Sequence, residues 1–241
     1  MKKLVAIEGP DNVGKTTIIK KLIETGIVFR SFNFPEKTAD SLISNLIKKM
    51  LSDESFHRIP AEFKALLFAV DRKAQYNELN KCLYSDEEKH SPIVLCDRYT
   101  YSNIAYQTAL FLFASIENMV SSNENKIGQL ISYLEFDLFR MPEPDIVICL
   151  TASNSDFLLR QNLDRHEEND LNDKNQELQI FVNRFFRSEN SRPDHNIRFW
   201  HQNRVVVDVC ESANSFRRAD DILNEVIATL WVRGGLKREF A

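Results

Sequence analysis

Apolar residues along this chain switch repeatedly between two spacings. Short unbroken apolar runs alternate with stretches in which apolar residues recur every three or four positions. The runs Leu4–Ile7, Val28–Phe32, Ile93–Cys96, Ile146–Leu150 and Val205–Val209 are short and apolar or β-branched, so they read as buried strands. Between them the helical period takes over. Thr17–Leu22 follows the first run as a helix, and Leu42, Ile43, Leu46, Ile47 and Met50 mark one face of the next. Pro60 suits a helix's first turn, and Phe63, Leu66, Leu67, Val70, Leu79 and Leu83 predict one long helix after it. Ile104–Phe113, Ile127–Phe139 and Ile222–Trp231 predict three more. This alternation implies a parallel sheet with helices on both faces, whose ligands bind beyond the carboxyl ends of the strands. No repeat and no linker interrupts it, so residues 1–241 are expected to form a single domain.

Composition narrows the picture. A chain of 241 residues with 43% hydrophobic content is long enough for one substantial core. Its 6 glycines and 7 prolines exclude a low-complexity chain. A formal net charge of -4 argues against a bulk nucleic-acid or anionic-membrane binder. The longest apolar stretch near the middle, Ala109–Ala114, is too short to span a bilayer. No signal-like segment precedes the first strand, so a cytoplasmic location is expected, with the nucleus left open. Cys82, Cys96, Cys149 and Cys210 form no metal-like cluster and read as reduced, mostly buried thiols. The five histidines have no metal-ligand spacing either.

The chemistry begins at Gly9-Pro-Asp-Asn-Val-Gly-Lys15-Thr16-Thr17, which fits the G-x-x-x-x-G-K-[ST] phosphate loop at every fixed position. It sits between a strand and a helix, the context this motif needs. Gly9 and Gly14 let the backbone curl around phosphate oxygens, and the amides of Asn12, Val13, Gly14 and Thr17 supply donors. Lys15 adds a full charge near the transferred phosphate, and Thr16 offers a hydroxyl to Mg2+. The fold class is therefore an α/β P-loop NTPase fold of three layers, with a five-stranded parallel sheet. In such a fold the polar stretch Asp164–Asn175 is a candidate lid, set at about residues 160–176. The charged stretch Ser85–Ser91 reads instead as a solvated loop.

A second element lies at Ile93-Val-Leu-Cys-Asp97-Arg98. Four apolar residues ending in aspartate look like a Walker-B strand whose carboxylate faces the metal. Arg98 would then bind a phosphate through two parallel hydrogen bonds. The alternative is a strand end closed by a structural Asp97–Arg98 ion pair.

The run Asp97-Arg-Tyr-Thr-Tyr-Ser102-Asn-Ile-Ala-Tyr106 resembles the D-R-Y-x-x-S-x-x-A-[YF] signature of thymidylate kinases. Leu66-Leu-Phe68-Ala-Val-Asp-Arg72 is similar to their L-L-F-x-A-x-R segment, and Phe34-Pro35-Glu36-Lys37 to their F-P-x-R stretch. Asp11 within the loop is typical of the family as well. These pieces occur in order over the first half of the chain, and beyond Leu150 the likeness rests on spacing.

The resemblance implies transfer of the ATP γ-phosphoryl group to dTMP, giving dTDP, with Mg2+ held at Thr16 and Asp97. It implies that Lys15 and the loop hold ATP and that Arg98 holds the acceptor phosphate. Phe68 would stack on thymine and Arg72 would reach a base oxygen. Asp11 would meet the 3′-hydroxyl, and Ser102 and Tyr106 would line the base and sugar pocket, the tyrosine disfavouring a ribose. Phe34, Pro35 and Lys37 complete the acceptor site. A homodimer is implied, with Ile104–Phe113 contributing to its interface or simply lying in the core. Phe68 and Tyr106 likewise have plain packing as an alternative.

The chain also departs from the family. Asn12 stands where some members carry arginine, so a lid cation is expected, with Arg165 the first choice and Arg160 the second. Lys37 keeps a positive charge but lacks arginine's fork. A deoxynucleoside kinase or a broader pyrimidine deoxynucleotide kinase is the alternative function. A guanine-nucleotide switch would need N-K-x-D, and the nearest run, Asn125-Lys-Ile-Gly128, lacks the aspartate. Intact Lys15, Thr16, Asp97 and Arg98 argue against an inactive scaffold.

Overall fold

All five expected strands join one sheet in the computed structural model, which describes residues 1–36, 41–53, 59–87, 90–117, 125–154, 175–187, 204–212 and 215–234. They are β1 (Lys3–Glu8), β2 (Val28–Asn33), β3 (Ile93–Asp97), β4 (Ile146–Thr151) and β5 (Arg204–Asp208). The order is β2-β3-β1-β4-β5, and every neighbouring pair is parallel. The chain leaves β1 for the β2 edge, returns through β3, and crosses β1 to reach β4. That reversal puts a crevice at the carboxyl ends of β1, β3 and β4, where open α/β sheets bind their ligands.

Strand alternation divides the core in two. Val5 and Ile7 of β1, Ile93 and Leu95 of β3, and Ile146, Ile148 and Leu150 of β4 face helices α1 (Lys15–Glu24) and α8 (Ala219–Gly234). Leu4, Ala6, Val94, Cys96, Val147 and Cys149 face the other way. There they meet α3 (Ala61–Ala74), α4 (Tyr76–Leu83), α5 (Thr100–Glu117), α6 (Asn125–Ser132) and α7 (Gln176–Arg187). Between β2 and α3, α2 (Leu42–Ser52) starts at Ser41, whose hydroxyl accepts from Ser44 N at 3.0 Å as an N-cap.

The single long helix expected after Pro60 is two helices. Gln75 breaks it with φ -92° and ψ 1°, and its N–H turns back to Arg72 O at 3.1 Å. The reason is phase. On a straight helix Leu79 would lie about 80° around the axis from Ala69. The break lets α3 bury Ala61, Ala65 and Ala69 while α4 buries Leu79, Cys82 and Leu83.

The helix expected over Ile127–Phe139 also changes character. After α6 the chain forms a π-helical turn over Tyr133–Leu138 and leaves it through Arg140 at φ 58°. A hairpin of Cys210–Ser212 with Ser215–Phe216 follows β5, with no counterpart among the sequence expectations. The four cysteines are buried and free; Cys96, Cys149 and Cys210 were so read from their strand-like surroundings, and Cys82 on α4 joins them. No helix among the described residues is long and apolar enough to cross a membrane.

Candidate active site

The glycine loop owes its shape to residues with positive φ. Gly9 has φ 140°, and a Cβ there would lie 2.1 Å from Leu150 O, so only glycine lets the loop pass β4. Asn12 and Gly14 follow at φ 63° and 82°. Val13 is buried in the apolar core beside α1 and anchors the loop from below. Gly14 caps α1 without a side-chain acceptor, which leaves the helix's first amides to an outside anion. Thr16 and Thr17 are exposed at that end.

Lys15 is buried. Its Nζ donates to Gly9 O at 3.1 Å and to Pro10 O, and lies 3.9 Å from Asp11 Oδ1. Burial, reinforced by the Arg98 charge, lowers its pKa to about 8 against the pull of Asp11, Asp97 and Glu8.

Arg98 begins the turn after β3 in a left-handed conformation, φ 63°, with its N–H on Ile7 O at 2.9 Å. The turn swings its guanidinium across the crevice. Nη1 donates to Gly9 O and Ser102 Oγ, each at 3.1 Å, and Nη2 pairs with Asp11. Its Cζ stands 5.3 Å from the centre of the Tyr106 ring. Burial opposes the charge, but Asp11, Tyr106, Asp97 and Glu8 outweigh it and hold Arg98 well above its usual pKa. Among the described residues Arg98 makes no ion pair with Asp97, so a structural Asp97–Arg98 closure of the strand is not what forms.

Asp11 is the hub of this cluster. Its Oδ2 accepts from Tyr106 Oη at 2.6 Å and from Gln179 Nε2 at 3.0 Å, while its own N–H donates to Gln179 Oε1 at 2.9 Å. Burial pushes the Tyr106 phenol well up, keeping it a neutral donor. Beneath Arg98 sits Glu8, wholly buried on the Leu4–Ala6 face of β1. It accepts from Tyr99 N at 2.9 Å, Ser102 N at 3.2 Å and Ser102 Oγ. Burial raises its pKa against those bonds and the Arg98 charge.

A different set of residues lies along α3. Phe68 and Arg72 are one turn apart and share a face. Phe68 is half-buried and, like Leu67 and Val70 beside it, belongs to neither core cluster. Arg72 is buried and donates through Nε to both Glu135 oxygens, at 2.8 and 3.0 Å, and through Nη2 to Oε1. Asp71 accepts from Glu36 N at 3.1 Å and thereby ties α3 to the Phe34–Pro35 stretch. Phe34 is buried edge-on against Tyr99, with ring centres 5.8 Å apart. Asn103 and Gln107 of α5 each keep a buried amide oxygen without a partner.

Of the expected residues, Gly9, Asp11, Lys15, Arg98, Ser102 and Tyr106 therefore meet in one bonded cluster, while Arg72 on α3 shares no hydrogen bond with it among the described residues. Lys37, Arg160, Arg165 and the proposed lid up to residue 174 lie outside the described residues. Glu8, Gln179 and Glu135 were not anticipated. Glu8 did leave a signal, as a charge ending an apolar strand beside the loop. Gln179 and Glu135 left none, because their partners are remote in sequence. Among the described residues no group of three or more His, Cys, Asp or Glu gathers as a metal cluster. Thr16 and Asp97 would suit a cation that keeps water and phosphate oxygens for its remaining positions.

Residues 7–198 match the sequence model of the family described as thymidylate kinase. The chain belongs to the thymidylate kinase family. A thymidylate kinase of Lactobacillus helveticus is 26% identical over 230 residues, covering 94% of each chain. A probable thymidylate kinase of Saccharolobus solfataricus is 32% identical over 153 residues, which span 62% of this chain and 65% of that protein. Among solved structures, a thymidylate kinase from Candida albicans shares the fold with a TM-score of 0.66. It is 21% identical, covering 97% of this chain and 92% of its own. The family match runs past Leu150 and takes in α7 with Gln179, where the sequence likeness rested on spacing alone.

Proposed function

We propose that this chain phosphorylates dTMP with ATP, and that the residues gathered around Gly9 and α3 carry the reaction. The observation that supports this most directly is a shared oxygen. Lys15 Nζ and Arg98 Nη1 both donate to Gly9 O at 3.1 Å. A donor cation and an acceptor cation therefore stand side by side, as two phosphates about to react require.

On this reading Lys15 leaves the carbonyls of Gly9 and Pro10 for the ATP γ-phosphate. Arg98 leaves Asp11 for the dTMP phosphate, whose oxygen attacks the γ-phosphorus as the bond to the ADP oxygen breaks. The attacking phosphate is already ionised near neutral pH, so no general base is needed. Thr16 and Asp97 would hold Mg2+, which supplies charge to the phosphate oxygens when bound. Asp11, held by Gln179, receives the 3′-hydroxyl, while Tyr106 and Ser102 close the sugar side. Phe68 stacks on the base and Arg72 reaches a base oxygen. Lys37 shares the acceptor phosphate, and Arg165, with Arg160 second, supplies the cation that Asn12 does not.

The working unit is proposed as a homodimer in the cytoplasm, with neither nucleic acid nor membrane as partner. Large exposed apolar side chains on α2 and α3, namely Leu42, Leu46, Phe63 and Leu66, are the surface offered to the second copy. A coupled ADP-release assay across dTMP, dUMP, dGMP, UMP and thymidine tests the activity. Turnover with dTMP far above thymidine is expected. Preference for thymidine would instead assign a deoxynucleoside kinase. Comparable rates with dUMP would assign a broader pyrimidine deoxynucleotide kinase, since one methyl group is worth only about 1–3 kcal/mol in a pocket.

A further inference from the structure

The π-helical turn after α6 brings a carboxylate to the base end of the crevice that the reaction itself does not call for. Glu135 is 0% exposed and Arg72 2% exposed. Nε of Arg72 donates to both carboxylate oxygens and Nη2 adds a third bond, while Nη1 makes no hydrogen bond to a described residue. π-turns are rare and collect at functional sites. This one is tied to α3 a second time, by Lys73 Nζ on Phe139 O at 2.7 Å. The two ties fix the stretch of α3 that carries Phe68 and Arg72.

We propose that Glu135 is a positioning residue for base recognition, locking two edges of the Arg72 guanidinium so that Nη1 alone faces a carbonyl oxygen of the pyrimidine. The inference rests on the dTMP kinase reading above. It gives the buried pair a specific use. A lone buried guanidinium would attract a phosphate as readily as a carbonyl. Glu135 cancels that charge, so this end of the crevice suits a neutral base and leaves the acceptor phosphate to Arg98. Orientation of the nucleotide then follows from where charge is compensated and where it is not.

Removing one partner of a buried ion pair strongly destabilises a fold, so the test uses Glu135→Gln and, in parallel, Glu135→Asp. Circular dichroism checks the fold, and steady-state kinetics compare dTMP with two analogues, one lacking the 4-carbonyl oxygen and one lacking the 2-carbonyl oxygen. For Glu135→Gln we expect KM for dTMP to rise about tenfold, as for a lost charge-assisted bond. The kcat and the KM for ATP should stay within about twofold. The penalty should vanish with one of the two analogues, because that analogue has no oxygen for Nη1 to meet. Glu135→Asp keeps the charge and should lie between. A folded variant with unchanged KM for dTMP, or an equal penalty on all three acceptors, overturns the proposal. If the Gln variant does not fold, the Asp variant is judged by the same analogue comparison. Failure of the wild-type chain to phosphorylate dTMP would instead overturn the functional reading beneath it.

Discussion

Two buried cations, Lys15 in the glycine loop and Arg72 on α3, are compensated in opposite ways. Lys15 rests mainly on the carbonyl oxygens of Gly9 and Pro10, with Asp11 at 3.9 Å, and its pKa falls to about 8. Arg72 is locked against a wholly buried carboxylate, which more than offsets its burial and raises its pKa. Arg98 sides with Arg72: paired with Asp11, and bonded also to a carbonyl and a hydroxyl, it is held well above its usual pKa in spite of its burial. Lys15 is thus left under-compensated, whereas Arg98 and Arg72 each hold a carboxylate partner. On the proposed mechanism the under-compensated Lys15 meets the γ-phosphate and the neutralised Arg72 meets an uncharged base. The contrast can be broken at either end.

The largest effect is expected at the loop. Lys15→Met keeps the length of the side chain and removes its charge. Turnover should fall by about a thousandfold or more, since on the proposed mechanism this charge acts on the moving phosphoryl group. The fold should be intact by circular dichroism. A variant retaining most of the wild-type kcat would mean that the under-compensated cation is not the catalytic one.

Arg98→Ala should come next, lowering kcat/KM for dTMP by about a hundredfold. Binding of an ATP analogue should change by less than about threefold, measured by calorimetry. Arg98→Lys should recover only part of the loss, because lysine cannot bond a phosphate through two parallel donors. Equal loss of both ligands would merge the two phosphate sites and undo the distinction between donor and acceptor cations.

Phe68→Ala probes the base site proposed on α3. Stacking of a base on an aromatic ring is worth about 1–3 kcal/mol, so Kd for dTMP should rise roughly ten- to a hundredfold while ATP binding holds. If inorganic phosphate and dTMP lost affinity together, the ring would be shaping the phosphate site rather than the base site.

How much of this was legible in the sequence follows the same division. The loop, the five strands and the Asp97–Arg98 strand end are local patterns, each written in fewer than about a dozen residues. Their geometry needs only backbone rules, and it formed as expected. The partners were a different matter. Glu135 meets Arg72 across 63 residues, and Gln179 meets Asp11 across 168. No period or motif links such positions; only the packing of α3 on the π-helical turn, and of α7 on α5, brings them together. The break at Gln75 was hidden for a related reason. Glutamine is a sound helix former, and the phase conflict between α3 and α4 exists only once both faces have something to pack against. Phe68 shows the limit from the other side. Its place in an apolar helix suggested core as readily as site, and its partial exposure outside both clusters, shared with Leu67 and Val70, does not separate the two.

The smallest effect is one of stability, and it bears on the cost of leaving Lys15 under-compensated. In an unfolded chain a lysine titrates near 10.4. In the folded chain burial lowers Lys15 to about 8, with Arg98 adding to the shift. Below about pH 8 both states carry the proton, and the fold bears the full penalty of burying the charge. Between about pH 8 and 10.4 the unfolded chain binds more protons than the folded one, so this part of the stability rises with pH. Lys15→Met removes the penalty and loses the bonds to Gly9 and Pro10. A net gain of about 1 kcal/mol would raise Tm by about 2–4 °C in a chain of this size. We therefore expect Lys15→Met to melt above the wild type at pH 7, with the difference shrinking as pH approaches 10. Differential scanning calorimetry of both proteins across that range measures it, and taking the difference cancels the other titrating groups. A variant that melts lower at pH 7, or a gap that widens with pH, would show that the carbonyl bonds compensate Lys15 fully. The loop would then differ from the base end in chemistry but not in energetic cost.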